Sequence, residues 1–163
     1  MKVELDGIFE VASPLEESFE FLSDPARFAP LLPYFEELKG VSDDGFTVVL
    51  AIGVPQIRGR AEVEVKLVEK AFPLRARYRS CGRHALGMID SDLGFTLQPV
   101  IAGSAVNWSS VSVVNGTLAS LAQGILVPLA KRQITSLVKS FQDALRPAGN
   151  ATQSAAGLAP RPR

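Results

Sequence analysis

The sequence predicts an α+β domain: a curved antiparallel sheet with one long helix, at the C-terminal end, laid across its apolar face. Three observations lead there. Residues 3–11 alternate apolar and polar, the two-residue period of a strand with one face on a core. From Phe35 to Asn115 further runs of this kind are broken by turn-forming residues, which makes six more strands. After Gly116 the apolar residues recur at steps of three and four, the period of an amphipathic helix. Strands gathered in one block with helices at its ends form an α+β order, and only the last helix is long enough to cover the sheet.

Along the chain, Val3, Leu5, Gly7, Phe9 and Val11 share one face of the first strand against Glu4, Asp6 and Glu10. Ser13-Pro14-Leu15-Glu16 reads as a helix start, a capping serine followed by proline at the first helical position. That helix runs to about Ser23 and turns Leu15, Phe19 and Leu22 inward. Asp24-Pro25 repeats the signal for a second short helix carrying Ala26, Phe28 and Leu31, limited by Pro30 and Pro33. Ser42-Asp43-Asp44-Gly45, Gly53-Val54-Pro55, Phe72-Pro73, the stretch Gly82–Gly87 and the stretch Pro99–Gly103 separate the strands. In the long helix Leu118, Leu121, Ala122, Ile125, Leu129, Ile134, Leu137, Phe141 and Leu145 form the apolar stripe. Gly124 and Pro128 are expected to bend or loosen its first half, and Pro147 to end it. Residues 1–146 thus make one domain, and 147–163, almost without bulky apolar groups, are expected to be a disordered tail.

Composition bounds the function. Of 163 residues 47% are apolar, enough for a sizeable core, and 17 acidic groups balance 17 basic ones, so net charge supplies no attraction to nucleic acid. The balance hides an asymmetry: residues 1–60 hold 11 acids and 5 bases, residues 61–163 hold 6 and 12. Either the surface is dipolar and pairs internally, or a basic patch faces anionic lipid or an acidic partner. Cys81 is the single cysteine, so no internal disulfide forms. The N-terminal residues lack the apolar run of a signal peptide, and no stretch approaches a membrane span, so a soluble, cytoplasmic protein is expected.

Pairing the last four strands as hairpins sorts their inward side chains into rows. The rows are Leu67, Leu74, Leu97 and Val106; Val65, Ala76, Phe95 and Trp108; Val63, Tyr78, Leu93 and Ser110; and Ala61, Ser80, Ser91 and Ser112. The first two rows are large enough to pack as a core. The fourth holds one methyl and three hydroxymethyl groups, which cannot fill an interior at native density. Either the helix sinks deeper there, or a cavity with hydroxyls on its wall remains, predicted toward the first half of the long helix, unless a bulge turns the serines to water. On the opposite face Arg75, Arg77 and Arg79 stand between Glu62, Glu64, Asp90 and Asp92, a charged ladder whose reverse side must be the core.

Catalytic constellations are weak. Asp90 and Asp92 read as partners of the arginines, and Cys81 and His84 point to opposite faces of an extended strand with no third orienting group. One cysteine and one histidine cannot build an ordinary zinc site. Lys131, Arg132 and Lys139 make a basic helix face, either solvated or in contact with lipid headgroups.

MKVELDGIFEVASP at residues 1–14, FLSDPARFAPLLP at 21–33, the strand anchored at Gly59, AVNWSSVSVVNG at 105–116 and the long helix resemble the CoxG family, named for the G subunit of carbon monoxide dehydrogenase. That family lies within the START and polyketide-cyclase-like helix-grip superfamily. The resemblance implies about seven strands wrapped round the C-terminal helix with a cavity between them. It also implies association with the cytoplasmic membrane face and with molybdenum hydroxylase-type dehydrogenases, as a quinone or lipid carrier. The tail departs from the pattern, having Leu158 alone as a bulky apolar group where an amphipathic membrane-seeking segment is expected.

The reading that follows is a non-enzymatic carrier of a long apolar molecule, a prenylated quinone or a lipid, with no covalent cofactor, no metal and no nucleic-acid partner. Leu118, Leu121, Ile125 and Leu129 are expected on the helix side of the cavity. Ala61, Val63, Tyr78, Ser80, Ser91 and Ser112 are expected on the sheet, and Phe28, Leu31, Leu32 and Tyr34 as a lid. The rivals are a cyclase- or hydrolase-like enzyme using the same cavity, and an assembly module with no pocket.

Overall fold

The computed structural model describes residues 1–146, so the segment 147–163, expected to be a tail, lies outside the described residues. Strand β1 (Lys2–Val11) is followed by helices α1 (Leu15–Ser23) and α2 (Pro25–Phe28), a 3-10 turn at Ala29–Leu31, and six strands. These are β2 (Phe35–Ser42), β3 (Gly45–Ile52), β4 (Gly59–Ala71), β5 (Arg75–His84), β6 (Gly87–Val100) and β7 (Gly103–Gly116). All pair antiparallel in one seven-stranded sheet of order β1-β7-β6-β5-β4-β3-β2. After β7 the described residues form α3 (Thr117–Leu121), a π turn at Ala122–Leu126 and α4 (Val127–Ala144). The α+β helix-grip architecture is as the sequence predicts.

Local chemistry explains most boundaries. Asp24 caps α2 by accepting from the Ala26 N–H at 3.1 Å. Ser13 does not cap α1 as expected. Its hydroxyl lies 2.6 Å from that of Ser18, and its carbonyl accepts from Ser104 Oγ at 2.7 Å, tying the start of α1 to β7 inside the core. The glycine-rich stretch expected as a turn is instead strand: β5 runs through Gly82 to His84, and only Ala85 and Leu86 turn. Pro128 cannot donate a helical hydrogen bond and would crowd the Gly124 carbonyl. The helix slips by one residue there, so that Val127 N–H donates to Ala122 O in a π turn.

Space around Gly124 is open, with nothing within 4 Å of the place a β-carbon would take. Gly124→Ala is therefore expected to stabilise the protein by about 0.5–1 kcal/mol through lower unfolded-state entropy. A rise in urea midpoint checks this, and a fall would mean that the π turn itself needs glycine.

Register decides what faces what. Between β5, β6 and β7 three predicted rows are present: Ala76–Phe95–Trp108, Tyr78–Leu93–Ser110 and Ser80–Ser91–Ser112. In the fourth, Leu97 pairs with Val106 as expected, but Leu74 precedes β5 and is half exposed, so it does not join the core row. Between β4 and β5 the register differs, Val65 standing opposite Ser80 rather than Ala76. β4 continues past Leu67 to Ala71, with a bulge between Leu67 and Glu69, so the hairpin closes later than its sequence suggested. Ala61 consequently leaves the serine row for the lower end of the sheet, and Val65 takes its place. The convex face carries the expected charges, but the shift re-pairs them: Arg79 with Asp92 at 3.1 Å, Arg75 with Glu69 at 2.8 Å and Arg83 with Glu64 at 4.0 Å. All are solvent-exposed and contribute little to stability.

Candidate ligand-binding cavity

Among the described residues three apolar clusters hold the fold, one at each end of the sheet and one at the β2–β3 edge. The largest joins Val11, Phe19, Phe21, Leu97, Val106 and Leu145 beneath α1. A second joins Ala29, Phe46 and Val48 beneath the 3-10 turn. The third joins Ile57, Val114 and Leu118, with Leu121, Ile125 and Leu129 packed against it. Between them the concave face is not filled. A cavity of about 440 Å³ lies there, under the second half of the long helix.

Its sheet wall comes from six strands. β3 contributes Phe46, Val48 and Leu50; β4 contributes Val63 and Val65; β5 contributes Tyr78 and Ser80; β6 contributes Ser91, Leu93 and Phe95. β7 contributes Val106, Trp108, Ser110 and Ser112, and β1 adds Phe9. Leu22, Phe28 and Leu32 close one side, and Ile134, Leu137, Val138 and Phe141 of α4 form the roof. The roof is unusual for an amphipathic helix, because no side chain within α4 is fully buried. Leu93, although it points inward, is 41% exposed. Both follow from empty space where a core would be.

α4 spans this space by its two ends. At its far end Leu145 is buried in the main core, Phe141 packs edge-on against Phe21 with ring centres 5.6 Å apart, and Gln142 Nε2 donates to Glu10 O at 3.0 Å. Before the π turn, Leu118 N–H donates to Leu86 O at 3.0 Å. Trp108 keeps its place in the wall because Gly7 faces it across the β1–β7 pair; a β-carbon on Gly7 would come within 2.9 Å of the indole Nε1.

Polar atoms in the cavity are few and all neutral. Ser91 Oγ and Ser112 Oγ lie 2.6 Å apart, while the Ser80 and Ser110 hydroxyls make no side-chain hydrogen bond among the described residues. Burial pushes the Tyr78 hydroxyl above the usual phenol range, so it stays protonated. A shallower depression on the convex face is bordered by Glu64, Lys66, Arg79, Asp90 and Asp92, charges that face one another in water. Cys81 opens onto it, opposite in direction to His84, and its thiol is pushed up by desolvation and then by Asp90.

The sheet-side residues Val63, Tyr78, Ser80, Ser91 and Ser112, with Phe28 and Leu32, come together at the cavity. Ala61, Leu31, Tyr34, Leu118, Leu121, Ile125 and Leu129 do not line it. Ala61 is displaced by the β4 register, and Leu31 packs into the main core. Tyr34, at φ 63°, sits before β2 with its hydroxyl 3.5 Å from Gln133 Nε2. The four helix residues pack on the third cluster, where Ile57, Val114 and Leu86 fill the space beneath them. The roof residues Ile134, Leu137 and Phe141 belong to the same apolar stripe, and its period does not say which half of the helix covers the cavity. The inward positions of β3 are legible by alternation, but the row pairing of the last four strands does not reach them.

The sequence model of the CoxG family, described as the G subunit of carbon monoxide dehydrogenase, matches residues 7–146. The chain belongs to the CoxG family. A comparison with curated protein sequences gives no significant match. Among solved structures, this CoxG-family chain is similar to a conserved protein from Geobacillus kaustophilus, with 19% identity and TM-score 0.80 over 88% of this chain and 95% of that one. It is also similar to protein CV1439 from Chromobacterium violaceum, with 16% identity and TM-score 0.67 over 88% and 98% of the two chains. A third similar structure is StfQ, a di-domain aromatase/cyclase of the steffimycin biosynthetic pathway, at 11% identity and TM-score 0.65. The alignment covers 96% of this chain and 52% of StfQ. At these identities the likeness establishes the fold alone.

Proposed function

We propose that this CoxG-family protein is a binding and carrier protein for an elongated apolar molecule, a prenylated quinone or another lipid, and not an enzyme. One observation carries the reading: the concave face leaves about 440 Å³ open beneath a helix of which no side chain is fully buried, a form that a ligand completes. The family name supports a dehydrogenase as partner. In the fuller form of the proposal the carrier links a molybdenum hydroxylase-type dehydrogenase to the cytoplasmic membrane face as a peripheral protein. No helix of the described residues is long and apolar enough to cross a membrane. The fold is shared with aromatase/cyclases, which favours testing a catalytic reading as well. Against it, the only titratable group on the cavity wall is Tyr78, which has no base beside it among the described residues.

Organic extraction of the purified protein followed by mass spectrometry tests the reading. A long apolar molecule recovered in near-stoichiometric amount is expected. A protein that yields none, and takes up neither a prenylated quinone nor a phospholipid from vesicles, would leave the pocketless assembly module.

A further inference from the structure

Resting on the carrier reading, the chemistry of the cavity wall narrows the ligand class. We propose that the ligand is an uncharged amphiphile whose head carries hydrogen-bonding oxygen, seated against Ser80, Ser110 and the Ser91–Ser112 pair, with its chain toward Phe9, Phe95 and Phe141. Two features of the wall lead to this.

The first is the absence of charge. Among the described residues no lysine, arginine, histidine, aspartate or glutamate lines the cavity. An ionised carboxylate or phosphate placed there would lose its water and gain no cation, a desolvation left uncompensated. The second is the grouping of hydroxyls. Ser80, Ser91 and Ser112 are direct cross-strand neighbours on β5, β6 and β7, and Ser110 is the next inward residue on β7. One hydroxyl proton of the Ser91–Ser112 pair is used within the pair, and the other is free. Ser80 and Ser110 have no side-chain partner among the described residues, so both hydroxyls are open to what fills the cavity, and a head that displaces water from them without bonding to them loses affinity. Hydroxyls both donate and accept, which suits a ketone, ester or alcohol head without selecting its orientation. Apart from the Tyr78 hydroxyl, the rest of the wall is mainly hydrocarbon and aromatic rings, which suits a chain.

Trp108, the only tryptophan, stands in the wall two residues from Ser110, so its fluorescence reports occupancy. The full chain is titrated with decanol, decyl methyl ketone and decanoate, at a pH where the carboxylate is ionised. The ketone and the alcohol are expected to bind at least about ten-fold more tightly than decanoate. The double variant Ser80→Ala with Ser110→Ala is expected to weaken ketone binding by about ten-fold, each lost hydrogen bond contributing a few-fold. Because it removes groups without protein partners it should fold normally, which circular dichroism checks. Equal binding of decanoate would overturn the uncharged head while leaving the carrier reading in place. Undiminished ketone binding by the folded double variant would overturn the serine seat. If none of the three ligands bound, the carrier reading would fall with the inference.

Discussion

Ser112→Phe is expected to reduce uptake of a prenylated quinone by at least ten-fold while leaving the protein folded. The serine lines the cavity, and among the described residues its one side-chain hydrogen bond is to Ser91. A phenyl ring there enters the open volume of about 440 Å³ rather than a packed interior. The newly buried ring area gains roughly 25 cal/mol per Å². Unpairing Ser91 costs about 1 kcal/mol, less if water reaches it from the cavity. The net change in stability should be near zero or favourable. Val114→Phe is the matched control, two residues along the same strand and facing the same way. Val114 is 3% exposed and wedged between Ile57 and Leu118, so the ring there overpacks a filled cluster and should cost about 1–3 kcal/mol. Thermal melting with a binding titration separates the outcomes. If both variants were equally destabilised, the serine row would be packed; if Ser112→Phe bound quinone normally, the site would lie elsewhere.

Phe19→Ala should destabilise the protein by about 3–5 kcal/mol, the full range for removing a buried aromatic ring. Phe19 has no exposed surface. Its ring meets Phe72 edge-on at 5.4 Å and Phe95 at 5.8 Å between centres, and the Lys70 ammonium sits 5.9 Å from its centre. With Phe21, Leu15 and Leu22 it holds α1 on the main core. Against a typical total of about 5–15 kcal/mol, that loss would shift a urea midpoint by a large fraction. Trp108→Ala should lose less than this, because the indole already borders open space on one side. A loss at Phe19 no larger than at Trp108 would mean that the main core can collapse into the cavity.

Alternation along β1 and β4–β7 tells which side chains face the core, because a strand's two-residue period is independent of its partners. The short β5–β6 and β6–β7 connections then set the registers that bring Ser80, Ser91 and Ser112 into one row. The unfilled serine row was thus legible in the amino acids, as were the helix stripe and the weak point at Gly124 and Pro128. Tertiary structure decided the rest. The bulge after Leu67 depends on how β4 lies against both neighbours, and it put Val65 where Ala61 was expected. Tertiary packing also decided which half of the long helix faces the opening. Both halves carry the same apolar stripe, and a period of 3.6 records which side of a helix is apolar but not which stretch of sheet lies opposite. Ile57, Val114 and Leu86, brought from distant parts of the chain, fill the space under the first half, and the cavity falls under the second because no comparable set arrives there.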